Sequence, residues 1–179
     1  MPVRVQTGDF DLTSEINALR AAQGARNAKI GAIATFIGTV RDLNEVAGDQ
    51  TEVAELTLEH YPGMTERALE KIITEAKGRW DIFDALVIHR VGTLAPLDQI
   101  VLVVTVGAHR GEAFAACEFI MDYLKTEAPF WKKESTPAGG RWVEVRATDD
   151  AAAARWNADM QKTPQAPGLK AAPTNESGH

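Results

Sequence analysis

The sequence predicts a single α+β domain in which helices pack against a mostly antiparallel sheet. The length of 179 residues suits one domain, at roughly 100 to 200 residues per domain. The predicted order is helix, strand, strand, helix, strand, strand, helix, strand, and it lacks the regular alternation of a doubly wound parallel sheet. Hydrophobic residues make up 45% and charged residues 25% of the chain, as in ordinary globular domains.

The N-terminal part of the chain predicts one helix and two strands. A helix is expected over 12–24, with Gly24 as its stop signal. A strand should follow from Lys29 to Ile37, and the glycines and acids of Gly38 to Gln50 indicate a mobile loop. Val53 to His60 then alternates between apolar and polar residues, which is typical of a half-buried strand.

The middle of the chain predicts an amphipathic helix followed by a hairpin. Apolar residues recur at helical spacing over 65–80. Two apolar runs follow, Phe83 to Val91 and Gln99 to Val106, and the turn around Pro96-Leu97-Asp98 is short enough to connect them as antiparallel strands.

The last predicted elements are a helix and a strand. The segment 111–125 has a helical apolar face, and Pro129 disfavours helical geometry at the preceding residue, so the helix should end between Lys125 and Glu127. Arg141 to Arg146 alternates as a final strand. We therefore expect one folded domain over residues 1–156 and a flexible tail over 157–179, which is rich in proline and alanine and poor in large apolar residues.

Charge and cysteine usage exclude several classes of protein. The net charge of −6 argues against generic binding to nucleic acid or to anionic membranes. With Cys117 as the single cysteine, no intrachain disulfide and no cysteine-pair zinc site can form. The N-terminal residues lack a secretory signal, and no apolar run reaches the ~18 residues of a membrane helix. A cytoplasmic location is expected.

Three lysines beside a proline are the first candidate for chemistry. Lys125, Lys132 and Lys133 flank the break at Pro129 in DYLKTEAPFWKKE. A lysine at a helix C-terminus commonly does no more than offset the helix dipole. The apolar residues of APFW could instead wall a pocket, where desolvation beside a second cation brings lysine into the range for proton transfer.

Two further segments suit anion binding. His109 and Arg110 precede a helix N-terminus, where backbone N–H groups favour an anion and Arg110 could hold a phosphate with two hydrogen bonds. They could equally be a half-buried histidine and a surface ion pair. In FIGTVRD, Gly38 would turn the chain after a strand and leave Arg41 at the entrance of a loop.

The remaining cysteine and histidines are predicted to be structural. Cys117 lies on the apolar face of its helix, as a buried free cysteine commonly does. His60 and His89 fall in strand patterns without a partner at metal-ligand spacing. No HExxH, EF-hand, P-loop, GxGxxG or GxSxG motif occurs, so no metal site or nucleotide cofactor is predicted.

Six segments occur in order from about Phe36 to Val145: FIGTVRD, LEHYPGM, IHRVG, AHRGEAF, FIMDYLKTEAPFWKKE and GGRWVE. Together they resemble the large, catalytic subunit of molybdopterin synthase. The resemblance implies a sulfurtransferase of molybdenum cofactor biosynthesis, without metal or bound redox cofactor, which converts cyclic pyranopterin monophosphate to molybdopterin by installing the two dithiolene sulfurs. The sulfur would come from the C-terminal thiocarboxylate of a small ubiquitin-like carrier subunit. A homodimer of large subunits with a small subunit at each end, a heterotetramer, is implied.

The resemblance also assigns residue roles. Lys125 and Lys132 match the two catalytic lysines, and the one that Lys125 matches is the lysine that lies against the inserted glycine tail of the carrier. The implied substrate-binding residues are Thr39, Val40, Arg41, His109, Arg110, Lys125, Lys132, Lys133 and Glu134. Two positions depart from the family pattern: Thr39 stands where bacterial members often have lysine, and Glu127 where some have arginine.

Three functions remain to be distinguished by experiment. The first is the sulfur-transferring enzyme, which the lysine pair around APFW favours. The second is another enzyme acting on a phosphorylated ligand, for example a hydrolase with His109 as its base, which would need no carrier. The third is a binding module whose lysines Lys125 and Lys132 pair with the acidic surface of a ubiquitin-like partner.

Overall fold

In a computed structural model of the chain, the described residues are 2–41, 43–46, 49–52, 55–136, 139–143 and 147–159. The strands are β1 Val3–Gln6, β2 Ala32–Thr39, β3 Leu43–Val46, β4 Asp49–Glu52, β5 Glu55–His60, β6 Ile82–Arg90, β7 Gly92–Leu94, β8 Gln99–Gly107, β9 Phe130–Thr136 and β10 Gly139–Val143. The α-helices are α1 Leu12–Ala22, α2 Met64–Arg79, α3 Arg110–Glu127 and α4 Ala147–Asp159, and a 3₁₀ helix spans Gly24–Lys29. None of the described helices is long and apolar enough to cross a membrane.

The main sheet has the strand order β1-β6-β8-β2. The strands β6 and β8 pair antiparallel at its centre, as the predicted hairpin requires, and β2 pairs antiparallel with β8. Only the short β1 joins parallel, beside β6. This mixture of helices and mostly antiparallel strands confirms the predicted α+β class.

Helices cover both faces of this sheet because alternate residues of β6 and β8 are apolar on each side. Ala85 and Val87 face the core that α2 and α3 complete. Leu86 and Ile88 face the opposite core, which includes Leu19 of α1. The sheet therefore fixes α3 on one face and α1 with the 3₁₀ helix on the other.

A second sheet has the order β10-β9-β5-β7 and is antiparallel throughout. Leu56, Leu58 and Leu94 on one of its faces form a small core with Val40, which follows β2. The side chains that share this face are thus held near the end of β2.

Three predicted elements are confirmed closely. The helix predicted over 65–80 is α2, and Glu66 in its first turn accepts a hydrogen bond from the Gly63 N–H at 2.6 Å. The helix predicted over 111–125 is α3, which ends at Glu127 before Pro129. The strand predicted from Val53 to His60 is β5, with residues 53–54 outside the described part.

Other boundaries were predicted wrongly. The strand expected from Lys29 is preceded by the 3₁₀ helix and begins at Ala32. Gly38 does not turn the chain after a strand but lies within β2, at an irregularity of register before Thr39. A Cβ there would meet Val101 Cγ1 at 2.8 Å, so close packing accounts for the glycine better than a turn. The segment expected to be a loop, Gly38 to Gln50, includes the hairpin of β3 and β4.

Several elements were not predicted. The strands β1, β7 and β9 and the helix α4 have no counterpart among the predicted elements. The final strand was expected from Arg141 to Arg146 but runs over Gly139–Val143, and residues 144–146 lie outside the described part. The predicted tail begins at 157; α4 continues through Asp159, and 160–179 lie outside the described residues.

Candidate active site

An open groove of about 350 Å³ runs between β2 and α3 and reaches Lys125. Its lining residues are Ala34, Thr35, Phe36, Phe114, Cys117, Glu118, Met121, Asp122 and Lys125. The residues from α3 recur every three or four positions, so they form one stripe along the helix. Phe36 and Phe114 are large exposed apolar side chains, Phe114 to 65%. The groove combines apolar walls with a cation at the last turn of α3.

The walls of this groove differ from those expected. The sequence suggested that Pro129, Phe130 and Trp131 would enclose the lysines, but the lining comes from β2 and α3. The Phe130 ring instead stacks on the buried His89 ring, with centroids 3.8 Å apart. Trp131 is exposed. Phe130 thus fixes the start of β9, the strand that carries Lys132.

The end of β2 places Arg41 near the second sheet. The Val40 N–H donates to the Asp98 carbonyl at 2.9 Å, and the Leu97 N–H donates to the Val40 carbonyl at 2.9 Å. Val40 is only 3% exposed and packs in the small core of the second sheet. The buried Val40 holds the backbone between the exposed residues Thr39 and Arg41, and its role in substrate binding stays a prediction.

Register places Lys132 on the same face as this core. Lys132 lies directly opposite Leu58 in the antiparallel pair of β9 and β5, and directly opposed residues project to the same side of a sheet. Lys132 is half-buried, whereas the exposed Lys133 projects to the other side. Glu134 follows on β9, opposite Leu56 in the register. The fold thus brings Lys132 and the Val40 segment to one region.

His109 and Arg110 lie at the opposite end of α3 from Lys125. The helix begins at Arg110 with His109 as its N-terminal flanking residue, and both side chains are exposed. At 1.5 Å per residue, the 15 residues from Arg110 to Lys125 correspond to roughly 23 Å along the helix axis. Within one copy of the chain, the two predicted clusters are therefore far apart.

Close packing at Gly31 fixes the position of the His109 turn. A Cβ at Gly31 would lie 2.3 Å from the Ala108 carbonyl oxygen, and the Gly31 N–H donates to Gly107 at 3.1 Å. Only glycine permits this approach of two backbones. The start of β2 therefore holds the chain just before His109.

Of the three residues predicted to be structural, Cys117 and His89 are buried and His60 is half-buried. Burial, with Glu118 nearby, raises the pKa of the Cys117 thiol to about 11. Burial lowers the pKa of His89 to about 4, and its Nδ1 donates to the Arg90 carbonyl at 2.8 Å. His60 is half-buried with Nε2 3.7 Å from Glu66. In the described part of the chain, no group of three or more His, Cys, Asp or Glu side chains could hold a metal ion.

Sequence reasoning missed the acidic side of the groove. Glu118 and Asp122 line it together with Lys125, and Arg155 of α4 contacts both carboxylates. The spacing of Glu118, Asp122 and Lys125 by four and three residues could have predicted that they share one face of the helix. The contribution of Arg155 depended on α4, which was not predicted.

The fold and the groove define an α+β domain whose groove has apolar walls, two carboxylates and the Lys125 ammonium group. Residues 5–127 match the family model described as MoaE protein. The chain is 64% identical over 154 residues to the molybdopterin synthase catalytic subunit of Ralstonia nicotianae, which covers 86% of this chain and 83% of that protein. It is 53% identical over 156 residues to the same subunit from Pseudomonas aeruginosa, with 87% and 99% covered.

A solved structure shows the same architecture. The molybdopterin biosynthesis MoaE protein from Burkholderia ambifaria MC40-6 superposes with a TM-score of 0.71 at 64% identity, over 87% of this chain and 97% of that one. The chain belongs to the MoaE protein family, that of the molybdopterin synthase catalytic subunits, and is therefore an enzyme subunit. This confirms the resemblance drawn from the six sequence segments.

Proposed function

We propose that this subunit converts cyclic pyranopterin monophosphate to molybdopterin by forming the dithiolene. The sulfur comes from the C-terminal thiocarboxylate of a small ubiquitin-like carrier. The observation that carries the proposal is the groove between β2 and α3, which has apolar walls and reaches Lys125. That its relatives are called catalytic subunits supports an enzyme that acts with a second subunit.

The groove suits an extended glycine tail. Strand β2 is the last strand of the main sheet. One of its edges pairs with β8, and no described strand pairs with its other edge. Extended peptides commonly bind along such an edge through main-chain hydrogen bonds. Terminal glycines need no side-chain space beside Phe36 and Phe114, and the thiocarboxylate at the end of the tail would meet the Lys125 ammonium group.

Lys125 and Lys132 would act as proton donors and electrostatic partners. Attack by the thiocarboxylate sulfur forms a C–S bond on the pterin side chain while an oxygen leaves with a proton supplied by a general acid. Water then cleaves the bond between sulfur and the carrier acyl carbon, which leaves the sulfur on the pterin and a carboxylate on the carrier. Lysine ammonium groups can supply the proton and stabilise the anions in both steps.

A second copy of the chain would complete the site. One substrate cannot span the roughly 23 Å between Arg110 and Lys125 of one helix. We therefore assign the phosphate to His109 and Arg110 of one copy and the sulfur chemistry to Lys125 and Lys132 of the other. This arrangement requires the homodimer, and with one carrier on each large subunit it gives a heterotetramer.

Single-turnover conversion of cyclic pyranopterin monophosphate tests the lysine roles. Lys125→Ala and Lys132→Ala should each reduce the rate at least ~100-fold, as loss of a general acid commonly does. Lys71→Ala, on the exposed face of α2, is the matched control and should retain the wild-type rate. Near-normal rates in both site variants would overturn the proposed chemistry.

Mixing two inactive variants tests the shared site. If Lys125 and Arg110 act from different copies, a heterodimer of Lys125→Ala and Arg110→Ala chains has one fully intact site. After subunit exchange, an equal mixture should recover roughly a quarter of wild-type activity, since half of the dimers are mixed and each has one good site. Recovery of no activity despite demonstrated exchange would place both residues in one copy's site.

The same assay separates the alternatives. Turnover without the carrier would indicate an enzyme of another kind, such as a hydrolase. A stable complex with the carrier that gives no product would indicate a binding module or a different substrate.

A further inference from the structure

Helix α4, the last of the described helices, is anchored beside the groove by one tryptophan. The Trp156 ring packs edge-on against Trp80 and Phe119, with centroids 5.4 and 5.7 Å away. Its Nε1–H donates to Asp122 Oδ2 at 2.8 Å, and its carbonyl accepts from Arg79 at 3.2 Å. These contacts fix the position of the preceding residue, Arg155.

Arg155 lies between the two carboxylates of the groove. Its guanidinium is 2.5 Å from Glu118 Oε1 and 2.8 Å from Asp122 Oδ2. Both acids line the groove together with Lys125. Asp122 accepts hydrogen bonds from Arg155 and from Trp156, so α4 determines where this carboxylate points.

The charges on the groove-lining stripe of α3 affect how an anion approaches Lys125. Without Arg155, the α3 wall carries two carboxylates and one ammonium group. On a helix, Asp122 and Glu118 lie about 4.5 and 10.5 Å along the axis from Lys125, within or close to the screening length of about 8 Å at physiological salt. An anion approaching Lys125 would be repelled by both. Arg155 changes the local sum from −1 to zero.

We propose that Arg155 is a specificity-determining residue, which neutralises the acidic wall formed by Glu118 and Asp122 and so admits an anionic chain end to Lys125. The inference rests on the proposed function, in which that chain end is the carrier thiocarboxylate. It adds a role for α4 and for two carboxylates that the proposed chemistry does not use.

The ion pair between Arg155 and Glu118 adds little to stability. The Arg155 and Glu118 side chains are 48% and 57% exposed, and exposed pairs contribute little net free energy. The packing of Trp156 against Trp80 and Phe119 anchors α4 independently of Arg155. The variant Arg155→Gln should therefore fold with α4 in place, and its effect should be electrostatic.

Binding of the thiocarboxylated small subunit provides the first test. Arg155→Gln should weaken binding about tenfold at low salt, a size typical of a lost charge contact. The double variant Glu118→Gln with Arg155→Gln should return to within about twofold of wild type, because the charge sum is restored. Arg26→Gln, on the 3₁₀ helix on the opposite face of the main sheet, removes the same charge and should leave binding unchanged.

Cys117 provides a second test that needs no carrier, because it lines the same groove. The ratio of its alkylation rates with iodoacetate, an anion, and iodoacetamide, which is neutral, reports the local potential. Thiol ionisation and access affect both rates alike. Arg155→Gln should lower this ratio several-fold at pH 9, and the double variant should restore it.

The outcomes separate the two proposals. An unchanged ratio in Arg155→Gln, or a double variant no better than the single one, would overturn the role of Arg155. A second outcome would overturn the proposed function and still support the charge effect. In that outcome Arg155→Gln lowers the alkylation ratio, but wild-type protein binds the carrier equally well after the carrier's terminal glycines are removed.

Discussion

At the scale of single residues, burial decides which titratable groups remain inert. Cys117 and His89 are both buried. Burial raises the pKa of Cys117 and lowers the pKa of His89, and both shifts favour the neutral form of the side chain. Arg41 and Lys125 are exposed cations, and Lys132 is half-buried. The chemistry is therefore assigned to lysine and arginine, although a cysteine lines the same groove.

Alkylation of Cys117 should be slow. With its pKa raised to about 11, roughly one thiol in ten thousand is ionised at pH 7, and the thiolate is the reactive form. Iodoacetamide should modify native protein at least ~100-fold more slowly than unfolded protein. Cys117→Ser should lower the stability more than the turnover rate, whereas a folded but inactive serine variant would contradict the structural role.

His89 should make stability depend on pH between about 4 and 6.5. Its folded pKa is lowered to about 4 from an ordinary value of 6.5, so the unfolded state takes up a proton first as the pH falls. The stability from the neutral ring is complete above pH 6.5 and is lost progressively toward pH 4. At pH 5 the loss is about 2 kcal/mol.

Urea unfolding at pH 7 and pH 5 measures this loss. The variant His89→Phe keeps a ring against Phe130 but does not titrate, so its stability should fall less over the same interval. Equal losses in both proteins would show that His89 is not the group responsible.

At the scale of elements, the turn between β7 and β8 contains a strained residue. The Asp98 N–H donates to the Ala95 carbonyl at 3.1 Å, and Leu97 has a φ of 75°, a conformation that favours glycine. Leu97 is also 82% exposed. Its side chain therefore contributes little packing to offset the strain.

Leu97→Gly should increase stability by about 1 kcal/mol, since relief of about 1–2 kcal/mol of backbone strain exceeds the added entropy of the unfolded chain. Leu97→Ala keeps the Cβ and serves as the matched control, with a much smaller expected effect. Chemical denaturation of the three proteins measures the difference. If the glycine variant were less stable than wild type, contacts of the Leu97 side chain would outweigh the backbone strain, and the explanation by strain would be wrong.

The elements that sequence reasoning found are those with apolar periodicity. The antiparallel strands β6 and β8 and the helices α2 and α3 have long apolar patterns and were predicted, although the connection of the two strands contains the unpredicted β7. The strand β9 was missed because the run WKKE has no apolar alternation; it is a strand because β5 and β10 pair with it on both sides. The alanine-rich α4 could have been predicted from helix propensity. The packing of its Trp156 against Trp80 and Phe119 could not.

At the scale of the whole molecule, α3 separates two groups of cations. The helix length puts Arg110 and Lys125 at opposite ends, and this separation follows from the predicted helix alone. The grouping of Lys132 with the Val40 segment did not follow from the sequence, since it depends on the register of β9 against β5. The proposed two-copy site rests on this separation.

The most direct test of the account is single-turnover conversion of cyclic pyranopterin monophosphate by this protein and a thiocarboxylated small subunit. The dithiolene product is detected after oxidation to a fluorescent pterin. We expect product only when both proteins are present and Lys125 is intact. No product from a stable complex with intact thiocarboxylate, or undiminished product from Lys125→Ala, would contradict the account.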